Sequence, residues 1–531
     1  MEELTGPTDA YNEVLYPAHC IPQAHPNRLA TIAYLRGLNP ASLDRCRILE
    51  LGCNFGINLA ALAGEFPDSE FVGVDLAGIP ISAGKEFAAG LGLRNLYLHA
   101  RDLVTITRAE FGRFDYLIAH GLYSWVPAPV RVRILEICQE LLAPDGVAYI
   151  SYNAYPGNHL RELVRGMMRF HTAQFSNPVD RVGQARGLLK LVAGARREPD
   201  YYHTAVKHQF ERLLKVADPV VFHDDLSDQN QSFYFYEFVS DAARYGLRYL
   251  GEAGANELTS QEYDASVFQM LENLGHASEV VREQYKDFVR GCAFRKTLLC
   301  REEKSIAPAP LTERIPHLLA MCDATLAEQR DTGQGRVSVF RRRDGGVVET
   351  AHPLISAALA VLCSEWPGSV SVPTLLHRAV AGLAGAPGNG GEAMAAEETL
   401  SAALLHAYRT GFLTLHLHPY RVVNRAGERP AVSRLVRHQL ERGDLATNQL
   451  HASIRFPDPL SRRLVQLLDG TRDRQALIAE LTRVVLQGEA DLFENQVRLT
   501  APDTVQAVLA KRVEDGLASL AREAMLVGYT D

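Results

Sequence analysis

Between Cys46 and Tyr155 short apolar runs alternate with segments of helical spacing, and this alternation constrains the fold more than any other feature of the chain. Residues 48–51, 70–75, 96–99, 116–120 and 147–152 read as strands, with helices expected over 57–64, 79–90, 106–111 and 131–142. Such alternation builds right-handed βαβ units, and these assemble into a parallel sheet covered by helices on both faces.

The chain then changes character. Residues 158–238 read as mostly helical, and 245–254 and 293–302 as two further strands that complete the same sheet as an antiparallel edge pair. The helical stretches before and between them are expected to cap the carboxyl edge of the sheet, where open α/β sheets bind their ligands. "REEKSIAPAPLTER" (301–314) is a linker. Beyond it, two segments share a layout of helix, Gly-containing turn, helix, spacer and helix, which predicts two winged-helix-like modules. The first ends in a TLHLH hairpin arm, and its "GAPGNGGEAMAAEE" spacer (385–398) reads as a mobile loop.

The first strand meets its helix in "RILELGCNFGINLAAL" (47–62). A dinucleotide-binding turn wants GxGxxG, so that backbone can approach a pyrophosphate at a helix N-terminus. Counting from Gly52, the later glycine places hold Asn54 and Ile57, and no Gly-Lys-Ser/Thr follows for a P-loop. What remains is Glu50-x-Gly52-x-x-x-Gly56, a carboxylate beside a tight turn. Asparagine at position 54 tolerates a left-handed backbone well, so the turn survives the loss of that glycine. Asp75 closes the second strand. A carboxylate there either accepts the hydroxyls of a ribose or caps the next helix, and the preceding loop favours the ribose.

The loop spacing resembles the first motif of class I S-adenosylmethionine-dependent methyltransferases, where it hugs a ligand without phosphates. Longer stretches carry a closer resemblance: "YNEVLYPAHCIPQAHPNRLATIAYLRGL" (11–38), "HGLYSWVP" (120–127), "SYNAYPGNHLRELVRGMMRFH" (151–171), "FHDDLSDQNQSFYFYEFVSDAARYGLRYLGEA" (222–253) and "REQYKDFVRGCAFRKTLLCRE" (282–302). These look like the bacterial methyltransferases that carry a methyltransferase regulatory domain, a group that includes rickettsial protein lysine methyltransferases acting on an outer-membrane surface protein. Most of the chain is covered.

The resemblance implies an α/β fold: a class I methyltransferase (Rossmann-like) sheet with helical cap insertions, plus α-rich winged-helix-like C-terminal modules. The cofactor domain is expected over 1–157 and 239–303, a helical regulatory cap over 158–238 with 257–290, and winged-helix-like domains over 312–420 and 421–531. The implied cofactor is S-adenosyl-L-methionine. Its expected contacts are Glu50, Gly52, Cys53, Asn54, Gly56 and Asn58 in the loop, Asp75 and Leu76 after the second strand, Asp102 and Leu103 after the third, and His120. Asp102 stands where the family often binds the adenine amino group, although a turn Asp explains it equally. Asn54 replaces the family's usual third glycine, and Ile57 a second consecutive one.

Methyl transfer from a sulfonium is an in-line displacement, so the protein mainly positions the nucleophile and excludes water. A lysine nucleophile must first lose its proton, at a cost of roughly 4–5 kcal/mol at pH 7. Desolvation and a nearby positive charge both lower that cost. Aromatic faces also attract the methylated cation. Tyr16, Tyr123, Trp125, Tyr152 and Tyr155 are the aromatic candidates, with His120 and Asn153 as polar members. For any one of the tyrosines packing is an equal reading. His120 is a general base or, preferentially, a structural or cofactor hydrogen-bonding group. The His25-Pro26 pair either covers the cofactor's methionine end or forms a bare turn, and His171, beside Met167 and Met168, reads as packing.

Net charge is −8, which supplies no global field for nucleic acid or anionic lipid and argues against a nucleic-acid partner. The eight cysteines form no CxxC pair, the N-terminus is polar and acidic, and no apolar run approaches the roughly 18 residues of a membrane span. A cytoplasmic protein with reduced thiols and no resident metal is expected. The leading function is methylation of lysine side chains on a protein substrate. The alternatives are a small-molecule or natural-product peptide acceptor on the same scaffold, or a catalytically weak scaffold that binds a peptide or protein. "LLDGTRDRQALIAEL" (467–481) also resembles small peptide-docking modules, which suits recruitment of a protein or peptide by the C-terminal modules.

Overall fold

The computed structural model describes residues 7–254, 263–275, 278–333, 335–383 and 390–528. Its central element is a seven-stranded sheet in the order β3-β2-β1-β4-β5-β7-β6. The strands are β1 (Arg47–Leu51), β2 (Glu70–Asp75), β3 (Leu96–Ala100), β4 (Phe114–Ala119), β5 (Leu142–Asn153), β6 (Leu247–Glu252) and β7 (Phe294–Arg301). β1 to β5 run parallel, whereas β7 lies antiparallel between β5 and β6. The two late strands therefore complete the sheet as expected, with the later of the two inserted between β5 and β6.

Period-two alternation sends successive side chains to opposite faces. On one face Leu49, Leu51, Val72, Val74, Leu117 and Ile150 pack with the helix Ala128–Leu141. On the other Ile48, Phe71, Tyr116, Ile118, Tyr149 and Leu298 pack against Leu29, Ala30 and Ala33 of the helix Pro26–Leu35. Glu50 is the exception among the buried residues of β1: it is a carboxylate, 3% exposed, between Leu49 and Leu51.

Helices His159–Thr172, Pro178–Ala193 and Tyr201–Leu214 form an insertion with its own core, including Val164, Met168 and Leu189. The linker after β7 is anchored rather than free. Ala307 N–H donates to Arg36 O and Leu311 N–H to Leu35 O, and the Arg314 guanidinium caps the carbonyls of Tyr34, Gly37 and Leu38.

Beyond it lie two further cores. The first joins helices Pro353–Glu365, Val372–Ala381 and Gly390–Arg409 to a small sheet, and the second joins Arg434–Leu440, Pro459–Leu467, Arg474–Leu486 and Pro502–Arg522. Two expectations need correction. The TLHLH arm is not a hairpin: Thr414–His416 pairs with Leu319–Met321, which pairs on its other side with Val370–Ser371. In the supposed mobile spacer, residues 390–398 open the helix Gly390–Arg409, since Ala, Met and Glu are strong helix formers; 385–389 lie outside the described residues.

Candidate active site

The carboxyl ends of β1, β2, β4 and β5 open into a cavity of about 1000 Å³. It is closed by the N-terminal segment, through Tyr11, Tyr16 and His19, and by the helical insertion, through Leu160, Arg161, Gln209 and Asp224.

The loop after β1 is built on left-handed backbone. Gly52, Asn54 and Gly56 have φ of 71°, 51° and 67°. Gly52 N–H donates to Val74 O at 2.8 Å, tying the turn to β2. Asn54 adopts the conformation its glycine-like tolerance allows, and its Nδ2 donates to Tyr16 O at 3.2 Å. A Cβ on Gly56 would fall 2.6 Å from Leu98 Cδ2, so this glycine serves close packing on β3 and does not line the cavity. Ile57 opens the helix Ile57–Glu65 and faces the cavity, where a pyrophosphate-binding turn needs glycine.

Two carboxylates flank the loop. Asp75 accepts from Asn54 N–H through Oδ2 at 2.8 Å and from Ala77 N–H through Oδ1 at 2.9 Å. Each oxygen retains a second lone pair, so both remain competent to accept from a vicinal diol. Glu50 Oε1 accepts from Asn58 Nδ2 at 3.1 Å, whereas Oε2 is buried without a partner. Burial pushes this carboxyl up to about 8, with Asp75 adding to the shift and the Asn58 bond opposing it. A cation arriving at Oε2 draws this carboxyl back toward its ionised form, in which the unpartnered oxygen accepts, and an ammonium group supplies both the charge and the donor. Asp102 lines the cavity and also caps the turn Leu103–Thr105, accepting from Val104 N–H at 3.1 Å. Cys53, Leu76 and Leu103 add apolar lining. These groups together fit a nucleoside with an ammonium-bearing tail.

The remaining walls are aromatic and polar. Tyr16, His120, Trp125 and Asn153 all line the cavity. His120 Nδ1 and Tyr149 Oη are 2.8 Å apart, and burial pushes the imidazole down to about 4, helped by Lys296 and His19. It is therefore neutral at pH 7. Asn153 Nδ2 donates to Asn230 Oδ1 at 2.9 Å, and Arg161 approaches the Trp125 ring at 6.0 Å.

Tyr123 and Tyr152 are placed elsewhere. Both sit among Phe233 and Phe238 in the core, Tyr152 stacked on Phe238 at 4.1 Å with its hydroxyl 3.1 Å from Thr297 Oγ1. Tyr155 donates to Glu162 and does not line the cavity. His25 caps the helix Pro26–Leu35 and packs against Tyr420 and His451, away from the cavity. His171 contacts Gln184 within the insertion, and Met168 is in that insertion's core.

Residues that sequence reasoning did not single out complete the site. Tyr11 stacks on His223 at 4.2 Å, and His223 Nε2 lies 2.6 Å from Val14 O, which fastens the N-terminal segment down. Asp224 lines the cavity with Tyr16, adds to burial in pushing the Tyr16 phenol up, and lies 3.5 Å from Arg161. The signal was present in "FHDD" (222–225), a histidine and two acids in a stretch otherwise set for packing. Among the described residues no group of three or more His, Cys, Asp or Glu could hold a metal ion, and no helix is long and apolar enough to cross a membrane.

Three family models match the chain: "Methyltransferase domain" over 49–148, "Predicted methyltransferase regulatory domain" over 217–301, and "PKMT, C-terminal winged helix domain" over 428–525. The uncharacterized protein RP028 of Rickettsia prowazekii is 34% identical over 242 residues, 45% of this chain and 96% of that protein. RP789 of the same organism is 37% identical over 298 residues, 56% of this chain, and the chain spans about half (53%) of its length. The solved structure of PKMT2 from Rickettsia typhi superposes with a TM-score of 0.86 over 97% of this chain and 100% of that one, at 24% identity. PKMT2 has also been solved in complex with AdoHcy. At this identity the superposition shows a shared fold.

Proposed function

We propose that this chain, which belongs to the family of methyltransferases bearing a regulatory domain and a PKMT-type winged helix, uses S-adenosylmethionine to methylate lysine side chains of a protein. The observation that carries this reading is that one cavity joins the Glu50–Asp75 loop to the pocket of Tyr16, His120, Trp125 and Asn153. When bound, the cofactor supplies an electrophilic methyl group on a sulfonium.

The chain's own residues do the rest by position. Asp75 would hold the ribose hydroxyls and Glu50 the ammonium, which would leave the acceptor to enter from the side of Trp125 and Tyr16. His120 is a neutral imidazole at pH 7, suited to accept a hydrogen bond from an amine and too weak a base to hold its proton. Deprotonation of the lysine is assisted instead by desolvation and by the cationic neighbour in the cavity, which together offset the roughly 4–5 kcal/mol it costs in water. The faces of Trp125 and Tyr16 favour a methylated ammonium. The PKMT naming of the matched winged helix and of the superposed structure supports a protein acceptor.

The test is incubation of the purified chain with methyl-labelled S-adenosylmethionine and a panel holding lysine-rich polypeptides, free lysine and small carboxylic acids. Methyl-lysine recovered from the polypeptides after hydrolysis is the expected result. Label confined to a small acid would transfer the reading to the small-molecule alternative, and no transfer to any acceptor would leave the scaffold alternative.

A further inference from the structure

Behind the cofactor loop, two residues from opposite ends of the chain meet. His451 Nε2 donates to Asn58 Oδ1 at 2.7 Å, and Ile21 N–H donates to the same oxygen at 3.1 Å. An amide has one oxygen and one NH2 group, so holding the oxygen from behind aims Nδ2 forward, where it donates to Glu50 Oε1. His451, Asn58 and Glu50 are 3%, 4% and 3% exposed. The outer end of this relay is the unpartnered Glu50 Oε2, on a residue that lines the cavity.

The loop that presents His451 is itself built for the purpose. His451 has a left-handed φ of 62°, and its N–H donates to Asn448 O at 3.0 Å. Asn448 Oδ1 accepts from Leu450 N–H and Ala452 N–H, while its Nδ2 donates to Glu523 O. A strained conformation held by this many bonds marks a side chain whose direction matters. Burial pushes the imidazole down to about 3, so at pH 7 it is neutral and carries its single proton on the nitrogen facing Asn58. Nearby, Cys20 Sγ sits 3.4 Å from Thr447 Oγ1 and donates to Ile57 O, so the same loop also backs the start of the cofactor helix.

We propose that His451 is a positioning residue of the cofactor site: the C-terminal domain completes that site by locking the Asn58 amide, and through it the free oxygen of Glu50, in the orientation that receives the ammonium of S-adenosylmethionine. The inference rests on the cofactor reading above and adds that the winged helix sets cofactor affinity. Linkage makes the effect reciprocal, so cofactor binding stabilises the 447–452 loop.

The experiment is calorimetric titration of the full chain and its variants with S-adenosylhomocysteine. His451→Leu, which removes the donor, is expected to weaken binding about tenfold, and His451→Gln, which restores an N–H donor, to recover most of it. In a double-mutant cycle, His451→Leu and Asn58→Ala together are expected to cost no more than Asn58→Ala alone, because one acts through the other. Additive losses, or an affinity within twofold of the parent in His451→Leu, would overturn the proposal. Hydrogen exchange on the unmodified chain decides the matter even if His451→Leu does not fold. S-adenosylhomocysteine is expected to slow exchange in 447–452 as well as in 52–58, and protection confined to 52–58 overturns the inference. Failure of the parent chain to bind would instead overturn the cofactor reading itself.

Discussion

The carboxylate of Asp75 accepts the backbone N–H of Asn54 at 2.8 Å, so the acid that ends β2 holds in place the loop's one non-glycine residue with left-handed backbone. The residue that departs from the glycine pattern is thereby stabilised by the residue that fits it. A β-branched side chain cannot share this arrangement. Asn54→Val is predicted to lower stability by about 1–2 kcal/mol, read by urea unfolding, with Asn54→Gly well tolerated. Equal stability of the valine variant would show that the turn is not strained.

Tyr16 and Trp125 line the cavity, whereas Tyr123 and Tyr152 are packed in the core. Tyr152→Phe is expected to leave kcat/KM for methyl transfer within about twofold while lowering the melting temperature, since it loses only the contact with Thr297. Trp125→Ala is expected to reduce kcat/KM by at least tenfold. A collapse of turnover in Tyr152→Phe would place that hydroxyl in the chemistry.

Why these tyrosines look alike in the sequence and differ in the structure follows from strand geometry. Tyr152 and Asn153 are adjacent at the end of β5, so their side chains point to opposite faces: Asn153 reaches the cavity and Tyr152 the core. Strand position was legible from alternation, but which face became the site was not. The parallel strands, the loop and Asp75 were readable because each rests on local pattern. The strand Ala324–Thr332 went unread because its side chains beyond Ala324 are exposed and mostly polar, and Gly335–Arg342 and Val347–Thr350 because their apolar runs are no more than two residues long. Contacts such as Tyr11 with His223, or His451 with Asn58, join segments far apart in the sequence and leave no local signal.

Arg295 ties β7 to its neighbours from inside the protein. It is 1% exposed, pairs with Asp287 and Glu252 at 2.9 Å, and stacks over Phe235 at 4.0 Å. Removing the guanidinium leaves buried carboxylates without their cation. Arg295→Met is predicted to destabilise the protein by about 3–5 kcal/mol in urea unfolding. A loss below about 1 kcal/mol would mean that water or rearrangement readily replaces the pair.

Glu50 gives the chain a pH dependence of known sign. Its folded value, about 8, lies above that of an unfolded carboxyl, because burial disfavours the charged form. The folded state thus holds a proton that the unfolded state has lost, and stability falls as pH rises from the ordinary carboxylate range to about 8. Melting temperatures at pH 6 and pH 8 are expected to fall less for Glu50→Gln than for the parent. Identical slopes would show that Glu50 is already ionised in the fold.

The link between His451 and Asn58 also bears on how the C-terminal domains are tested for substrate docking. Truncating them would disturb the cofactor loop directly, so exposed substitutions around 467–481 are the cleaner probe. Such substitutions are predicted to raise KM for a polypeptide acceptor several-fold while leaving S-adenosylhomocysteine affinity unchanged. A KM equal to the parent's would remove docking from that surface.

Methyl transfer as proposed requires the loop after β1 to hold S-adenosylmethionine, with Asp75 on its ribose. Calorimetric titration of the full chain with S-adenosylhomocysteine, beside Asp75→Ala, tests this most directly. Saturable one-to-one binding by the parent, weakened at least tenfold in the variant, is the predicted result. Binding of equal strength in both, or none in the parent, would contradict it.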